Sequence, residues 1–196
     1  MTIESSIPAL LTLLIAYLLG SVSSAVVVCQ FLGLKDPRTL GSNNPGATNV
    51  WRTGSRLAGM TTLVADILKG ALPVWLAQQL KLDNHIVALC GLCAMLGHLY
   101  PLYFRFRGGK GVATFLGACL ALLPILALCQ IGIWLLLAGL FRLSSQASLA
   151  TAVATPILCW WLTPTYLPVL SLMSLLLIVR HRDNIRKLLQ GNESRL

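Results

Sequence analysis

Long apolar runs alternate with short polar segments along this chain. Ile7 to Phe31 is 25 residues without a charge, and Val112 to Phe141 is 30. As α-helices, both are long enough to cross the roughly 30 Å hydrocarbon core of a bilayer. Five apolar blocks emerge: Ile7 to Leu34, Leu57 to Leu80, Ile86 to Phe104, Val112 to Phe141, and Leu143 to Val179. The last two are too long for one crossing. A turn at Pro124 divides the fourth block, and the Thr163-Pro164-Thr165 break divides the fifth. The pattern predicts an all-α, polytopic integral membrane helical bundle of seven transmembrane helices, forming a single transmembrane domain over residues 1–196. Five spans, with each long block one tilted or kinked helix, is the alternative.

Composition agrees with the pattern: 56% of the 196 residues are hydrophobic and 11% are charged, too little charge for a water-soluble globule. The polar segments reach only about 25 residues, so no large soluble domain fits between the runs. Any chemistry must sit in short loops and helix ends. The formal net charge of +9, from 15 Lys and Arg against 6 Asp and Glu, would suggest nucleic acid in a soluble protein. Here it reports orientation. Lys35, Arg38, Arg52 and Arg56 follow the first run; Arg105, Arg107 and Lys110 follow the third; Arg180, Arg182, Arg186, Lys187 and Arg195 lie in the tail. With those segments (about 35–56, 105–114 and 180–196) cytoplasmic, only Lys81 lies outside, and seven spans return Arg142 to the cytoplasm. Six spans would strand the basic tail outside. The N-terminus, carrying Glu4, then faces outward and the C-terminus is cytoplasmic. The opening run lacks the basic n-region and cleavage site of a signal peptide and is expected to be a retained span.

Within the spans, Gly20, Ser21, Ser23, Ser24 and Ala25 form a small-residue cluster suited to close helix packing. Asp66 and Lys69 share a helix face at i, i+3 and can neutralise each other. Ionisable groups at membrane depth are functional candidates, although an internal ion pair is also a sufficient structural explanation. All six cysteines fall in apolar runs, where they pack as small polarizable residues. Cys90-x-x-Cys93 has neither a second pair nor a flanking His cluster, so redox and zinc readings are set aside.

Three polar segments carry the candidate chemistry. Gly41 to Asn49 holds two glycines, a proline, a serine, a threonine and three asparagines with no acid. Such a run offers N–H groups, hydroxyls and amides to an anion, and Arg52 adds a planar fork suited to phosphate. The plainer reading is a turn-rich connector. The second segment runs from Gly97-His98 through Pro101 to Gly108-Gly109-Lys110-Gly111, directly before an apolar helix. Glycines there let free N–H groups close around phosphate, with Lys110 supplying charge. No glycine sits five residues before Gly109 and Lys110 is followed by Gly111, so this is not a Walker motif. The third segment places His181 and Asn184 one helical turn apart; its plainer reading is a basic tail attracted to anionic lipid. His98 is placed to orient the glycine loop. The six acids are scattered, which disfavours magnesium-dependent phosphotransfer of the CDP-alcohol transferase kind. Nor is a His followed five residues later by Asp, as in acyl-CoA-using glycerolipid acyltransferases; Arg186 stands at that distance from His181.

Together, Gly41-Ser42-Asn43-Asn44-Pro45-Gly46-Ala47-Thr48-Asn49 with Arg52, Gly97-His98 and Pro101 with Gly108-Gly109-Lys110-Gly111-Val112-Ala113-Thr114, and His181-Arg182, Asn184-Ile185 with Gly191 and Glu193 resemble the three motifs of the bacterial membrane acyl-phosphate:glycerol-3-phosphate acyltransferases. Lys187 departs from the family, which often has Arg there; charge is kept and bidentate geometry lost. The resemblance implies transfer of a fatty acyl group from acyl phosphate to the 1-hydroxyl of sn-glycerol 3-phosphate. The products would be lysophosphatidic acid and phosphate, in the first step of phospholipid biosynthesis. It implies a multi-pass protein of the bacterial cytoplasmic (inner) membrane, with the active site facing the cytoplasm. Its partners would be the two substrates and membrane lipid, with no cofactor, no metal, no nucleic acid and no obligate protein partner. Ser42, Arg52, Lys110, His181 and Asn184 would be catalytic. Asn44, Gly46, Thr48, Asn49, Gly108, Gly109, Gly111 and Thr114 would bind substrate, with the glycine loop cradling the donor phosphate and Glu193 structural. Either His181 or a substrate phosphate would accept the proton. A transporter or scramblase, the rival class, would instead be expected to carry midplane polar groups and an internal repeat.

Overall fold

A computed structural model describes residues 3–53 and 55–195, with side chains from residue 7 onward; the Glu4 side chain lies outside the described residues. Among the described residues there are ten α-helices and no strand: α1 (Ile3–Gly20), α2 (Ser24–Phe31), α3 (Ala47–Thr53), α4 (Arg56–Gln79), α5 (Asn84–Leu99), α6 (Val112–Leu122), α7 (Pro124–Phe141), α8 (Ser144–Leu162), α9 (Leu167–Arg180) and α10 (Arg182–Leu189). The fourth and fifth apolar blocks are each divided in two. Pro124 takes the first position of α7, where its missing N–H costs nothing, and a single 3₁₀ turn, Pro164–Tyr166, separates α8 from α9.

Three helices are long and apolar enough to cross a membrane on their own, and two bent pairs raise the count to five. One pair is α1 with α2, bent by 46°, and the other is α9 with α10, bent by 56°. α6 has 11 residues, roughly 16 Å of helix, short for an independent crossing. The bundle is an integral membrane one. Leu10, Leu128, Leu135, Leu136, Leu140 and Trp161 expose more than half of their surface, as side chains facing lipid do. The interior is closed by Met95, Leu99, Leu126, Leu170, Met173 and Leu177, all nearly or wholly buried.

Glycines set the closest helix contacts, which places the elements that carry the polar segments. A Cβ on Gly70 of α4 would overlap the carbonyl oxygen of Thr114, and one on Gly117 of α6 would overlap that of Ile67. α4 and α6 therefore touch backbone to backbone at two levels. α1 and α5 meet in the same way, through Gly20 against Ala94 and Gly97 against Tyr17.

α3 was not anticipated from the composition of its segment. The Gly46 carbonyl accepts hydrogen bonds from the Asn49 and Val50 amides at 3.0 and 3.2 Å. The second half of the Gly/Pro/Asn-rich run thus winds into a seven-residue helix that carries Thr48, Asn49 and Arg52.

Candidate active site

The three polar segments line one cavity of about 450 Å³. Ser42, Asn43 and Asn44 come from the first segment, Gly108 and Lys110 from the second, and Arg180, Arg182, Asp183, Asn184 and Lys187 from the third, with Tyr100 and Val179 completing the wall. Four cations against one acid make this an anion-attracting cup.

The first segment is held by its own asparagine. Asn49 is 4% exposed. Its Nδ2 donates to the carbonyls of Pro37 at 2.8 Å and Leu40 at 3.0 Å, and its Oδ1 accepts from the Ser42 amide at 2.9 Å. This amide shapes the loop and stands behind the cavity. Gly41 has φ +56°, and a Cβ there would overlap Asn49 Oδ1, so the turn that presents Ser42 requires glycine twice over. Arg52 lies outside the cavity lining: its Nη2 donates to the Ser194 carbonyl at 2.9 Å, tying the first segment to the tail, and its Nε is buried without a partner among the described residues. That N–H is available to an anion. Asn44 faces the cavity, whereas Gly46 and Thr48 are half-buried outside its lining.

The glycine loop is fixed through its carbonyls as well as its amides. Arg105 and Phe106 both adopt left-handed φ values, 54° and 59°, an uncommon pair for residues with side chains, and this reversal delivers the chain into Gly108. The Gly109 amide donates to the His98 carbonyl at 3.1 Å, so it is not free for a ligand. Gly108 and Gly109 also have no room for a side chain, since a Cβ would overlap the His98 carbonyl and the His98 ring respectively. Gly111, at φ +87°, starts α6 and packs on Leu99 and Met95. Thr114 is wholly buried against α4 and does not reach the cavity. Lys110 does. Burial is the largest influence on its ammonium, and Lys187, Arg52 and Arg180 add repulsion that Glu193 partly offsets, lowering the pKa to about 8.

In the third segment, His181 is the pivot between α9 and α10, 2% exposed. Its Nδ1 lies 2.8 Å from the Leu177 carbonyl. A carbonyl only accepts, so Nδ1 carries the proton and Nε2 keeps its lone pair. Burial, chiefly, lowers the pKa of this ring to about 4, and the ring is neutral at pH 7. Asn184 lines the cavity and donates from Nδ2 to Glu193 Oε1 at 2.7 Å. Glu193 is thus a brace for Asn184 and a counter-charge for Lys110.

Sequence reasoning counted Arg180 only as one cation of the tail. Its guanidinium donates three hydrogen bonds, from Nε to the Gly109 carbonyl at 3.2 Å and from Nη2 to those of Gly108 and Gly109, both at 3.0 Å. It also stacks on Tyr100 at 5.4 Å from the ring centroid. The acceptors lie 71 and 72 residues away in sequence, and backbone carbonyls leave no side-chain signature. Arg180→Lys should keep the charge, lose the fork and lower kcat/KM about tenfold, the equivalent of one charge-assisted hydrogen bond. Wild-type kinetics in that variant would remove Arg180 from loop positioning.

Fold and site define a class: an integral membrane helical protein that gathers phosphate-suited groups at one end of its bundle. The family model for glycerol-3-phosphate acyltransferase matches residues 10–191. A glycerol-3-phosphate acyltransferase of Albidiferax ferrireducens is 49% identical over all of this chain and 92% of its own length. One of Burkholderia cenocepacia is 52% identical over 95% of this chain and 90% of its own. The crystal structure of PlsY (YgiH), an integral membrane glycerol 3-phosphate acyltransferase, in its glycerol 3-phosphate form superimposes with a TM-score of 0.92 at 36% identity, covering 96% of each chain. Its lysophosphatidic acid form gives 0.90 at 35% identity, covering 96% of this chain and 95% of that one. This chain belongs to the glycerol-3-phosphate acyltransferase family.

Proposed function

We propose that the protein transfers a fatty acyl group from acyl phosphate to the 1-hydroxyl of sn-glycerol 3-phosphate without a metal, at the cytoplasmic face of the bacterial inner membrane. The observation that carries this reading is the single cavity lined by cations from segments about 70 residues apart in sequence, Lys110 and Arg180, with Arg182 and Lys187 beside them. Two phosphorylated substrates repel as they approach, and these groups offset the repulsion. The forms in which PlsY was crystallised, with glycerol 3-phosphate and with lysophosphatidic acid, are those of an acceptor and a product of this reaction.

An acyl phosphate is a mixed anhydride with a good leaving group, so positioning and charge stabilisation carry most of the catalysis. The 1-hydroxyl oxygen bonds to the acyl carbon, and the bond from that carbon to the phosphate oxygen breaks. Inorganic phosphate leaves with the electron pair. Lys110, beside Gly108, holds the donor phosphate; Ser42 and Asn44, with Arg52 behind them, hold the acceptor; Asn184 and His181 orient the glycerol. The hydroxyl proton goes to His181 Nε2 or to a substrate phosphate oxygen. His181→Gln separates the two: no turnover with acceptor binding intact assigns the proton to His181, and retained turnover assigns it to phosphate. The acyl tail lies in the bilayer between helices.

On this reading the chain crosses the membrane seven times with its N-terminus outside, the short α6 making its crossing only because α4, α5 and α7 pack around it. Trp160 and Trp161, 60% and 81% exposed at the far end of α8, sit where an outer interfacial aromatic belt would. The decisive assay offers the purified protein labelled glycerol 3-phosphate with acyl phosphate or acyl-CoA, with and without EDTA. Product from acyl phosphate alone, unchanged by EDTA, is expected; a strict need for acyl-CoA or for a divalent metal overturns the reading.

A further inference from the structure

The two phosphate-suited segments are joined by three buried ionisable side chains that the proposed reaction does not use. Asp66, Lys69 and His98 are 2%, 8% and 7% exposed. Lys69 Nζ lies 2.8 Å from Asp66 Oδ1 and donates to the Val22 carbonyl at 2.9 Å. Val22 belongs to the break between α1 and α2, where the 46° bend interrupts the helix and frees a carbonyl that lipid cannot satisfy. α2 leads directly into the Lys35–Arg52 segment. On the other side, Asp66 Oδ1 is 3.6 Å from His98 Nδ1. The His98 carbonyl accepts the Gly109 amide, and its ring fills the space where a Gly109 side chain would be. An unbroken line of contacts therefore runs from the root of the first segment to the glycine loop.

A neutralising pair alone does not explain this arrangement. Lys69 is aimed at a freed carbonyl on one neighbouring helix, and Asp66 at a histidine on another. We propose that Asp66, Lys69 and His98 are positioning residues that set the spacing between the Gly41–Arg52 segment and the glycine loop, and with it the place of the Lys110 ammonium. The proposal rests on the reading of Lys110 as a phosphate-holding group, and none of the three touches substrate.

The first test is His98→Ala, which leaves the ion pair in place and removes the link. Hydrogen exchange of the 105–114 stretch should quicken in detergent while that of α7 is unchanged. kcat/KM should fall about tenfold, as a displaced catalytic group predicts. Lys110→Ala should cost less in the His98→Ala background than in the wild type, because the ammonium is already out of place. Mere loss of folded protein would leave that cost unchanged. His98→Asn, which keeps a donor near the Nδ1 position, should recover most of the activity. The double variant Asp66→Asn/Lys69→Met removes both charges together, so that neither is left unpaired; it should melt below the wild type, because the Val22 carbonyl loses its donor, and while folded show the same loop exchange and kinetic loss. Wild-type exchange and kinetics in His98→Ala, or in a folded double variant, overturn the proposal. So does His98→Asn no better than His98→Ala, which cuts the connection to Asp66. Should Lys110→Ala itself be silent, the site reading falls while the exchange measurement still judges the spacing role.

Discussion

Lys110→Ala should lower turnover by about 10² or more, because it removes a full positive charge from the place where, on the proposed mechanism, a phosphate leaves with its electron pair. Lys110 lines the cavity from the end of a loop whose carbonyls are fixed by Arg180 and whose Gly109 amide is fixed by His98. Its ammonium is therefore held in place before substrate arrives, and preorganised charge contributes most to a transition state. The same burial that makes the charge effective makes it titratable. With its pKa lowered to about 8, the ammonium is complete below that pH and lost above it. kcat/KM, which reports the free enzyme, should decline as pH rises through about 8. Lys110→Arg keeps its charge at every accessible pH and should flatten that alkaline limb even if its rate is lower. The sign for stability is opposite to that for activity. The folded-state pKa lies below the ordinary lysine value, so burying the charged form opposes folding at low pH, and this opposition fades as pH rises past about 8.

Gly70→Val should cause a large loss of stability. A side chain there meets the Thr114 carbonyl, a backbone atom that cannot swing aside. α4 and α6 must then separate, which costs about 1–3 kcal/mol for overpacking and more if the contact at Gly117 is also lost. The effect extends to the cavity, because Thr114 stands in the first turn of α6, three residues after Gly111. Detergent-solubilised Gly70→Val should melt well below the wild type and lose activity. Gly132→Ala and Gly139→Ala, where nothing lies within 4 Å of the added atom, should melt at or above the wild-type temperature, since alanine favours helix. Equal melting of all three variants would show that the α4–α6 approach is not what limits stability.

The helical boundaries were legible where the chain itself forbids a helix from continuing. Pro124 and Thr163-Pro164-Thr165 interrupt apolar runs by removing N–H groups, and the structure starts new helices at those points. The polar segments were legible for a related reason, since a membrane tolerates such residues only at its surface or beside a partner. What could not be read was how backbone atoms would be used. Gly41 to Asn49 has the composition of a loop, and nothing in it announces that Gly46 opens α3 or that Asn49 turns its amide inward. Ser21 to Ser24 reads as a packing stripe, while the structure breaks the helix there and satisfies the freed Val22 carbonyl from Lys69. Arg180 has the sequence context of a membrane anchor and acts as the clamp on Gly108 and Gly109. The expectation that the glycine amides, with Lys110, would cradle the phosphate is not met at Gly109 for the same reason: its N–H is bonded to the His98 carbonyl. Side-chain chemistry can be read from residue type, whereas partners in the backbone appear only when the chain is folded.

The central claim is that three distant segments form one cytoplasmic pocket that takes glycerol 3-phosphate. The most direct measurement places single cysteines at Asn43 and Asp183, which line the cavity from the first and third segments, in a variant without the six native cysteines. Sealed inverted and right-side-out vesicles are then labelled with a membrane-impermeant thiol reagent. Both positions should react from the cytoplasmic side alone, and glycerol 3-phosphate should slow both reactions. Labelling of either cysteine from the outer side, or rates at both that glycerol 3-phosphate leaves unchanged, would contradict the account.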